Sequence, residues 1–203
     1  MKKSILWLIA CLFVLPMSIV SCEETDGVED PYANWEERNQ AYIDSIAAVA
    51  QANPSEWKMI HSYKFQPVDF GSFGSPLNVN DYVYCKILQS GDGATPMFTD
   101  SVAVHYKGQL IPLGNGKKVV FDRSYQGELD PSVAKHVVFQ TGSLITGWTS
   151  ALMQMKEGDR WELYVPNELG YGNSNKPSIP AYSTLIFDLH LVKVNKRKYQ
   201  PAS

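Results

Sequence analysis

The sequence predicts an α+β domain in which an antiparallel β-sheet packs against one short helix, preceded by a helical extension. From about Tyr82 onward, apolar and polar residues alternate in several short segments, a pattern typical of strands with one face on a core. A single stretch between these segments has helical spacing instead, and another helical stretch precedes them all. Several strands around one short helix indicate the α+β class.

The first 21 residues predict a signal peptide, because Lys2 and Lys3 precede an apolar run over residues 5–20. That run is short for a membrane span, which needs about 20 apolar residues. The run closes on Ile19-Val20-Ser21-Cys22, which resembles a bacterial lipobox whose cysteine is acylated. We therefore expect a lipoprotein anchored to a bacterial membrane through Cys22, in the cell envelope, on the periplasmic or surface face of the outer membrane. The alternative is ordinary secretory cleavage near Ser21.

Residues 22–33 are acidic and predict a flexible tether. Residues 34–80 predict a helix and a connector, since Asn34 and Glu37 fit a capping box and Pro54 ends the pattern. The apolar stripe of this helix comprises Trp35, Tyr42, Ile46 and Val49. The stripe either packs on the protein's own domain or serves as a dimerisation or presentation arm. We expect deletion of residues 34–53 to leave the following domain, 81–197, folded.

Within that domain, three segments predict half-buried strands and one predicts a helix. The inward-facing strand positions are Val102, Val104 and Tyr106; Trp161, Leu163 and Val165; and Leu185, Phe187, Leu189 and Leu191. The predicted helix spans Thr146–Lys156, presents Trp148, Leu152 and Met155 on one side, and stops at Gly158.

Several function classes have little support in the composition. The net charge is −3 without a basic stripe, which argues against nucleic-acid binding. The four histidines show no metal-ligand spacing, so neither a metal nor another cofactor is expected. Cys11 leaves with the signal peptide and Cys22 carries lipid, so Cys85 has no intrachain disulfide partner and reads as a small buried hydrophobe.

Four short motifs occur in an order and spacing that resemble the FKBP family of peptidyl-prolyl cis-trans isomerases. They are Val104-His105-Tyr106-Lys107-Gly108, Val120-Phe121-Asp122, Gly147-Trp148, and the segment 165–188 with Tyr171-Gly172 and Ile179-Pro180. The resemblance covers roughly residues 82–196. It implies a curved antiparallel sheet wrapped over a short helix.

The resemblance also implies a catalytic pocket and its substrate, the Xaa-Pro segments of folding proteins. Trp148 would form the floor under the proline ring, Tyr171 would donate its hydroxyl to a substrate carbonyl, and Asp122 would face the rotating amide. The backbone N–H of Ile179 would serve a second carbonyl. The implied site residues are Tyr106, Phe121, Asp122, Phe139, Leu144, Ile145, Trp148, Tyr171, Ile179 and Phe187.

The implied function is isomerisation of prolyl bonds during the folding of exported proteins. The alternative is a binding module or chaperone that holds proline segments without turnover, and a purely structural lipoprotein is a third reading. Val137 and Ser178 favour the binding module, because many active members carry other residues there. The aromatic residues and Asp122 favour the enzyme.

Overall fold

The structure is a computed structural model that describes residues 30–64 and 78–197. The predicted signal peptide, Cys22 and most of the tether lie outside these residues. The helices are α1 (Trp35–Ala52) and α2 (Thr146–Leu152). The strands are β1 (Trp57–His61), β2 (Tyr82–Gln89), β3 (Ser101–Leu110), β4 (Val120–Arg123), β5 (Val137–Gln140), β6 (Arg160–Val165) and β7 (Leu185–Asn195). In 30–64 and 78–197, no helix is long and apolar enough to cross a membrane.

The seven strands form one antiparallel sheet in the order β1-β2-β6-β7-β3-β4, and β5 also pairs with β3. The two helices pack on opposite faces of this sheet. Tyr42 of α1 contacts the ring of Tyr164 in β6, whereas Gly147 of α2 lies against Val165, the next residue of that strand. Consecutive residues of a strand point to opposite faces of the sheet, so the two helices lie on opposite faces. The predicted α+β class, with a curved antiparallel sheet over a short helix, is confirmed.

The start of α1 differs from the sequence prediction. Asn34 precedes the helix with a φ of 51° and makes no side-chain capping bond, so the predicted capping box with Glu37 is wrong. An N-cap side chain reaches the first helical amides from an extended backbone, which Asn34 does not have. The end is as predicted, since α1 stops at Ala52, two residues before Pro54.

The buried face of α1 is also rotated from the predicted stripe. Val49 is 43% exposed, and Tyr42 and Ile46 are only partly buried. The residues that the helix buries are Trp35, Asn39, Ile43, Ala47 and Ala50. This face, rather than the whole predicted stripe, packs against the protein's own domain. Val49 lies on the exposed side of the helix, and dimerisation through that side stays a prediction.

The predicted connector contains a strand that the sequence analysis missed. β1 pairs along its whole length with β2, from Trp57 opposite Lys86 to His61 opposite Tyr82. The Trp57 ring stacks on that of Tyr164 at 5.5 Å, under α1. The sheet therefore extends to residue 57, well before the predicted start of the domain at residue 81.

Helix α2 buries the residues that the sequence predicts, but it is shorter than predicted. α2 ends at Leu152 rather than Lys156, although Trp148, Leu152 and Met155 are all buried as predicted. The C-cap of α2 is Met153, so the prediction that Gly158 ends this helix is wrong; Gly158 instead has a φ of 93° in the turn before β6, a conformation that favours glycine. Cys85 is fully buried as predicted, and burial raises the pKa of its thiol.

Strand β3 is buried on both faces over residues 102–106, rather than on one face as predicted. The outward-facing His105 is only 2% exposed, because its ring packs against His190 of β7 and against His136 of the loop between β4 and β5. That loop therefore covers a stretch of sheet that the alternating pattern alone leaves open.

Candidate active site

An apolar cavity of about 150 Å³ opens between α2 and the strands beneath it. Nine of the ten predicted site residues line it: Tyr106, Phe121, Asp122, Phe139, Leu144, Ile145, Trp148, Tyr171 and Phe187. An apolar cavity of about 150 Å³ can hold a benzene-sized ring. A proline ring is smaller than that, so the cavity has room for one.

Trp148 lies at the centre of the aromatic lining. Its ring meets those of Tyr106, Phe139 and Phe187 edge to face, with centroids 5.3, 6.1 and 5.1 Å away. Phe121 meets Phe187 in the same way at 5.5 Å. Such edge-to-face pairs are favourable for aromatic rings and fix their relative orientation. Because the rings come from α2 and four strands (β3, β4, β5 and β7), the packing of these elements sets the shape of the cavity.

Gly108 leaves room for two of these rings. A Cβ atom at this position would lie 2.6 Å from Phe121 and 2.8 Å from Phe187, closer than side chains can approach. Gly108 pairs directly with Phe187 across β3 and β7 and with Asp122 across β3 and β4. In the sequence Gly108 is recognisable only as the last residue of a motif, but in the structure a larger residue there would displace the lining.

Asp122 supplies the carboxylate of the cavity, and two donors hold it. The Tyr106 hydroxyl donates to Oδ2 at 2.8 Å, and the backbone N–H of Arg123 donates to Oδ1 at 2.8 Å. Burial, together with the neighbouring Asp122 carboxylate, raises the pKa of Tyr106. Tyr106 therefore stays a neutral hydrogen-bond donor at physiological pH.

Tyr171 comes from the loop between β6 and β7, which spans residues 166–184. Its side chain is 39% exposed and lines the cavity. The ammonium group of Lys176 lies 5.4 Å from the centroid of its ring, within range of a cation–π contact. No sequence signal pointed to Lys176, since the contact depends on how the loop folds back.

Ile179 is the one predicted site residue that does not line the cavity. It is 7% exposed and borders a neighbouring groove of about 450 Å³ with Tyr32, Lys176 and Pro180. Its backbone N–H donates to the carbonyl of Lys176 at 3.2 Å, and its carbonyl accepts from the Lys176 N–H at 2.8 Å. The amide that was expected to serve a substrate carbonyl is therefore already used within a tight turn.

The chemical groups in the cavity are few. Asp122 is the one ionisable carboxyl among the lining residues, alongside two tyrosine hydroxyls, and the lining contains no serine, cysteine or histidine. Across the described ranges 30–64 and 78–197, no three histidine, cysteine or acidic side chains are grouped to hold a metal ion. The arrangement can bind an apolar ring and position a hydrogen-bond donor and a negative charge beside it.

Comparison with known proteins agrees with this geometry. Residues 93–192 match the family described as FKBP-type peptidyl-prolyl cis-trans isomerase. FK506-binding protein 1 of Aspergillus oryzae is 33% identical over 111 residues, which are 54% of this chain and 96% of that protein. The chain belongs to the FKBP family. All four motifs that suggested this resemblance lie within the matched residues.

Two bacterial FKBP proteins show how far the similarity extends. Peptidyl-prolyl cis-trans isomerase Mip of Coxiella burnetii is 41% identical over 113 residues, which are 55% of this chain and 44% of Mip. The crystal structure of FkpA from Escherichia coli is 29% identical and covers 80% of this chain and 62% of that one, with a TM-score of 0.53. The chain thus spans less than half the length of Mip and 62% of the FkpA chain.

Proposed function

We propose that this FKBP protein is a peptidyl-prolyl cis-trans isomerase. The observation that carries the proposal is the aromatic cavity around Trp148, which is large enough for a proline ring and contains a single carboxylate. Rotation of a peptide bond faces a barrier of about 18–20 kcal/mol, because the amide loses its conjugation when twisted. The planar amide is the more polar state, so an apolar pocket favours the twisted one and lowers the barrier.

Each part of the cavity has a role in this mechanism. Trp148 forms the floor under the proline ring, and the rings of Tyr106, Phe121, Phe139 and Phe187 exclude water around it. The hydroxyl of Tyr171 binds a carbonyl of the substrate chain. Asp122, held by Tyr106 and the Arg123 amide, places a negative charge near the rotating amide and stabilises it electrostatically. No step requires proton transfer.

We further propose that the protein acts on exported proteins in the cell envelope and is held to a membrane by acylated Cys22. The basis is the sequence Ile19-Val20-Ser21-Cys22 after an apolar run, followed by an acidic tether. Its substrates would be Xaa-Pro segments of folding chains. A homodimer through α1 would have to use the exposed side of that helix, which includes Val49, because the side with Trp35 and Ile43 packs on the protein's own domain.

The competing function is a binding module or chaperone that holds proline segments without turning them over. Val137 favours it, since this β5 residue stands where many active members carry an aromatic ring. The residue is partly buried at the edge of the core and lies outside the cavity lining. The cavity itself retains its aromatic floor and walls, which favours the enzyme.

One assay separates the two functions. A soluble form lacking residues 1–22 is tested for isomerisation of short Xaa-Pro peptides and, in parallel, for binding of the same peptides. We expect a rate increase that is nearly independent of pH from about 6.5 to 8, because no ionisable group transfers a proton. Binding without any change in isomerisation rate would reject the enzyme and leave the chaperone. A bell-shaped profile in that range would reject the mechanism.

A further inference from the structure

Helix α1 is hydrogen-bonded to the C-terminal end of the loop 166–184, which carries Tyr171. The indole N–H of Trp35 donates to Oγ of Ser183 at 2.9 Å, and the backbone N–H of Thr184 donates to Oδ1 of Asn39 at 2.7 Å. Both bonds are buried and join residues 148 and 145 positions apart. We propose that Trp35 and Asn39 are positioning residues of the active site, which act through this loop. The proposal rests on the isomerase function proposed above.

The start of the loop is tied to the same helix. The side-chain amide of Asn80 donates to Oε1 of Gln40 in α1 and to Oε1 of Glu168, both at 2.9 Å. Glu168 lies in the short helix Asn167–Leu169 at the base of the loop. α1 therefore contacts the end of the loop directly at Ser183 and Thr184, and its start indirectly, through Asn80, at Glu168. Helix α1, which precedes the sheet in the sequence, thus fixes the position of the loop that carries Tyr171.

Hydrogen bonds inside the loop connect the Ser183 end to Tyr171. Ser183 Oγ, which accepts from Trp35, donates to the carbonyl of Pro180 at 2.7 Å. The N–H of Tyr182 donates to the carbonyl of Gly172 at 2.9 Å, directly beside Tyr171. Tyr182 has a φ of 60°, a conformation that a bulky residue keeps only where its surroundings impose it. The Trp35 and Asn39 bonds on the two following residues supply that constraint.

Tyr171 depends on this frame because its own side chain is not packed into the core. It is 39% exposed, whereas Trp148 and Phe187, on regular elements, are 4% and 5% exposed. When the loop is loosened, fewer molecules hold Tyr171 over the cavity at any moment. The apparent affinity for substrate falls in proportion to that fraction, while the bound complex reacts as before. Loss of the hydrogen bonds from Trp35 and Asn39 to the loop is therefore expected to raise KM more than it lowers kcat.

The test variant is Trp35→Phe, which removes the N–H donor and keeps an aromatic ring in the core. Its matched control is Ile43→Val, on the same helix, at a residue that is 1% exposed and makes none of these bonds. At a temperature well below unfolding of both variants, we expect kcat/KM of Trp35→Phe to fall about three- to tenfold, mainly through KM. Ile43→Val should match the wild type. An equal fall in both variants would mean that α1 contributes stability alone, and would overturn the proposal.

A second measurement does not depend on activity. Hydrogen exchange of the Gly172 and Tyr182 amides should accelerate in Trp35→Phe, with β2 and β6 unchanged; unchanged exchange in the loop would overturn the proposal. Ser183→Ala should produce the same acceleration, and adding Trp35→Phe to it should cause no further change, whereas additive effects would contradict a shared path. Ser183→Ala also replaces Trp35→Phe as the test variant if Trp35→Phe fails to fold. A wild type without isomerase activity would reject the proposed function, and the exchange data would still decide whether α1 orders the loop.

Discussion

The hydroxyl of Tyr106 donates a 2.8 Å hydrogen bond to Oδ2 of Asp122, joining β3 to β4 at the wall of the cavity that both residues line. With the Arg123 N–H on the other oxygen, the carboxylate has a fixed orientation. A negative charge that is already oriented needs no reorganisation when the substrate amide twists, which is where electrostatic catalysis gains most. The polar part of the site is therefore preorganised by a tyrosine whose ring is also part of its apolar wall.

Tyr106→Phe tests this relationship. The ring stays against Trp148 and only the hydroxyl is lost, so the fold should persist. We expect kcat/KM to fall several-fold, since a net hydrogen bond is typically about 0.5–1.5 kcal/mol. The matched control is Tyr125→Phe, which removes a hydroxyl that contacts Asp188 at 3.4 Å outside the cavity. Unchanged kcat/KM in Tyr106→Phe, or an equal loss in the control, would show that the orientation of Asp122 is unimportant.

The apolar and polar parts of the cavity should contribute unequally. Tyr171→Phe removes one exposed hydroxyl, and we expect a modest, several-fold fall in kcat/KM with stability unchanged. Phe121→Ala removes the ring that packs against Phe187, admits water and should cost more activity. Peptide isomerisation assays on both variants, with thermal unfolding as a check on folding, measure the difference. A larger loss from Tyr171→Phe than from Phe121→Ala would place the main catalytic effect in hydrogen bonding.

Membrane attachment through Cys22 predicts a change of cellular fraction. A buried acyl chain contributes about 0.8 kcal/mol per methylene, so two or more chains hold a protein firmly to a membrane. In an exporting bacterial host, the wild-type protein should sediment with membranes and Cys22→Ser should be soluble. Cys85→Ser, at a buried thiol, is the control and should still sediment. A soluble wild type whose mass fits simple cleavage would contradict the anchor.

The structure reverses one expectation about α1. Deletion of residues 34–53 was expected to leave the domain folded, but Trp35, Ile43, Ala47 and Ala50 belong to the hydrophobic core. We now expect the deletion to unfold the domain or to lower its free energy of unfolding by several kcal/mol. Trp35→Ala alone should cost about 3–5 kcal/mol, as large aromatic truncations in cores do. Denaturant unfolding measures both, and a deleted form with wild-type stability would show that the helix is dispensable.

The residues of the aromatic cavity could be predicted because short local motifs carry the resemblance to the FKBP family, and the resemblance implies the site residues. Phe121, Asp122 and Trp148 are each recognisable from two or three neighbours in the sequence. The buried face of α1 could not be predicted in this way. Asn39 is polar, and it is buried because the Thr184 amide, 145 residues away, donates to its side chain.

The missed strand β1 and the buried His105 have the same explanation. Trp57–His61 is short and lies just after Pro54, and only its pairing with β2 makes it a strand. His105 has the outward position that the alternating pattern predicts, but the loop with His136 covers it. Local periodicity identifies which residues share a face of a strand. It does not identify what packs on that face, which depends on distant parts of the chain.

The histidine cluster behind the cavity predicts how stability depends on pH. His105 and His190 lie opposite each other on β3 and β7, with ring centroids 5.8 Å apart. His136 approaches His105 from the loop between β4 and β5. Arg160 of β6, which forms an ion pair with Asp188, lies opposite His190 of β7. Burial, and after it the neighbouring histidine, lowers the pKa of both His105 and His190. Both are therefore held neutral in the folded state more strongly than in the unfolded chain.

A lowered histidine pKa means that the unfolded chain takes up protons first as the pH falls. The full stability is thus present above about pH 6.5, the ordinary pKa of histidine, and is lost as the pH falls below it towards the folded-state pKa values. Each group can contribute a slope of at most about 1.4 kcal/mol per pH unit. Denaturant unfolding between pH 8 and 5 should show this loss, and His190→Gln should reduce the slope. A slope unchanged in His190→Gln, or stability that rises as the pH falls, would contradict the assignment of the pH dependence to this cluster.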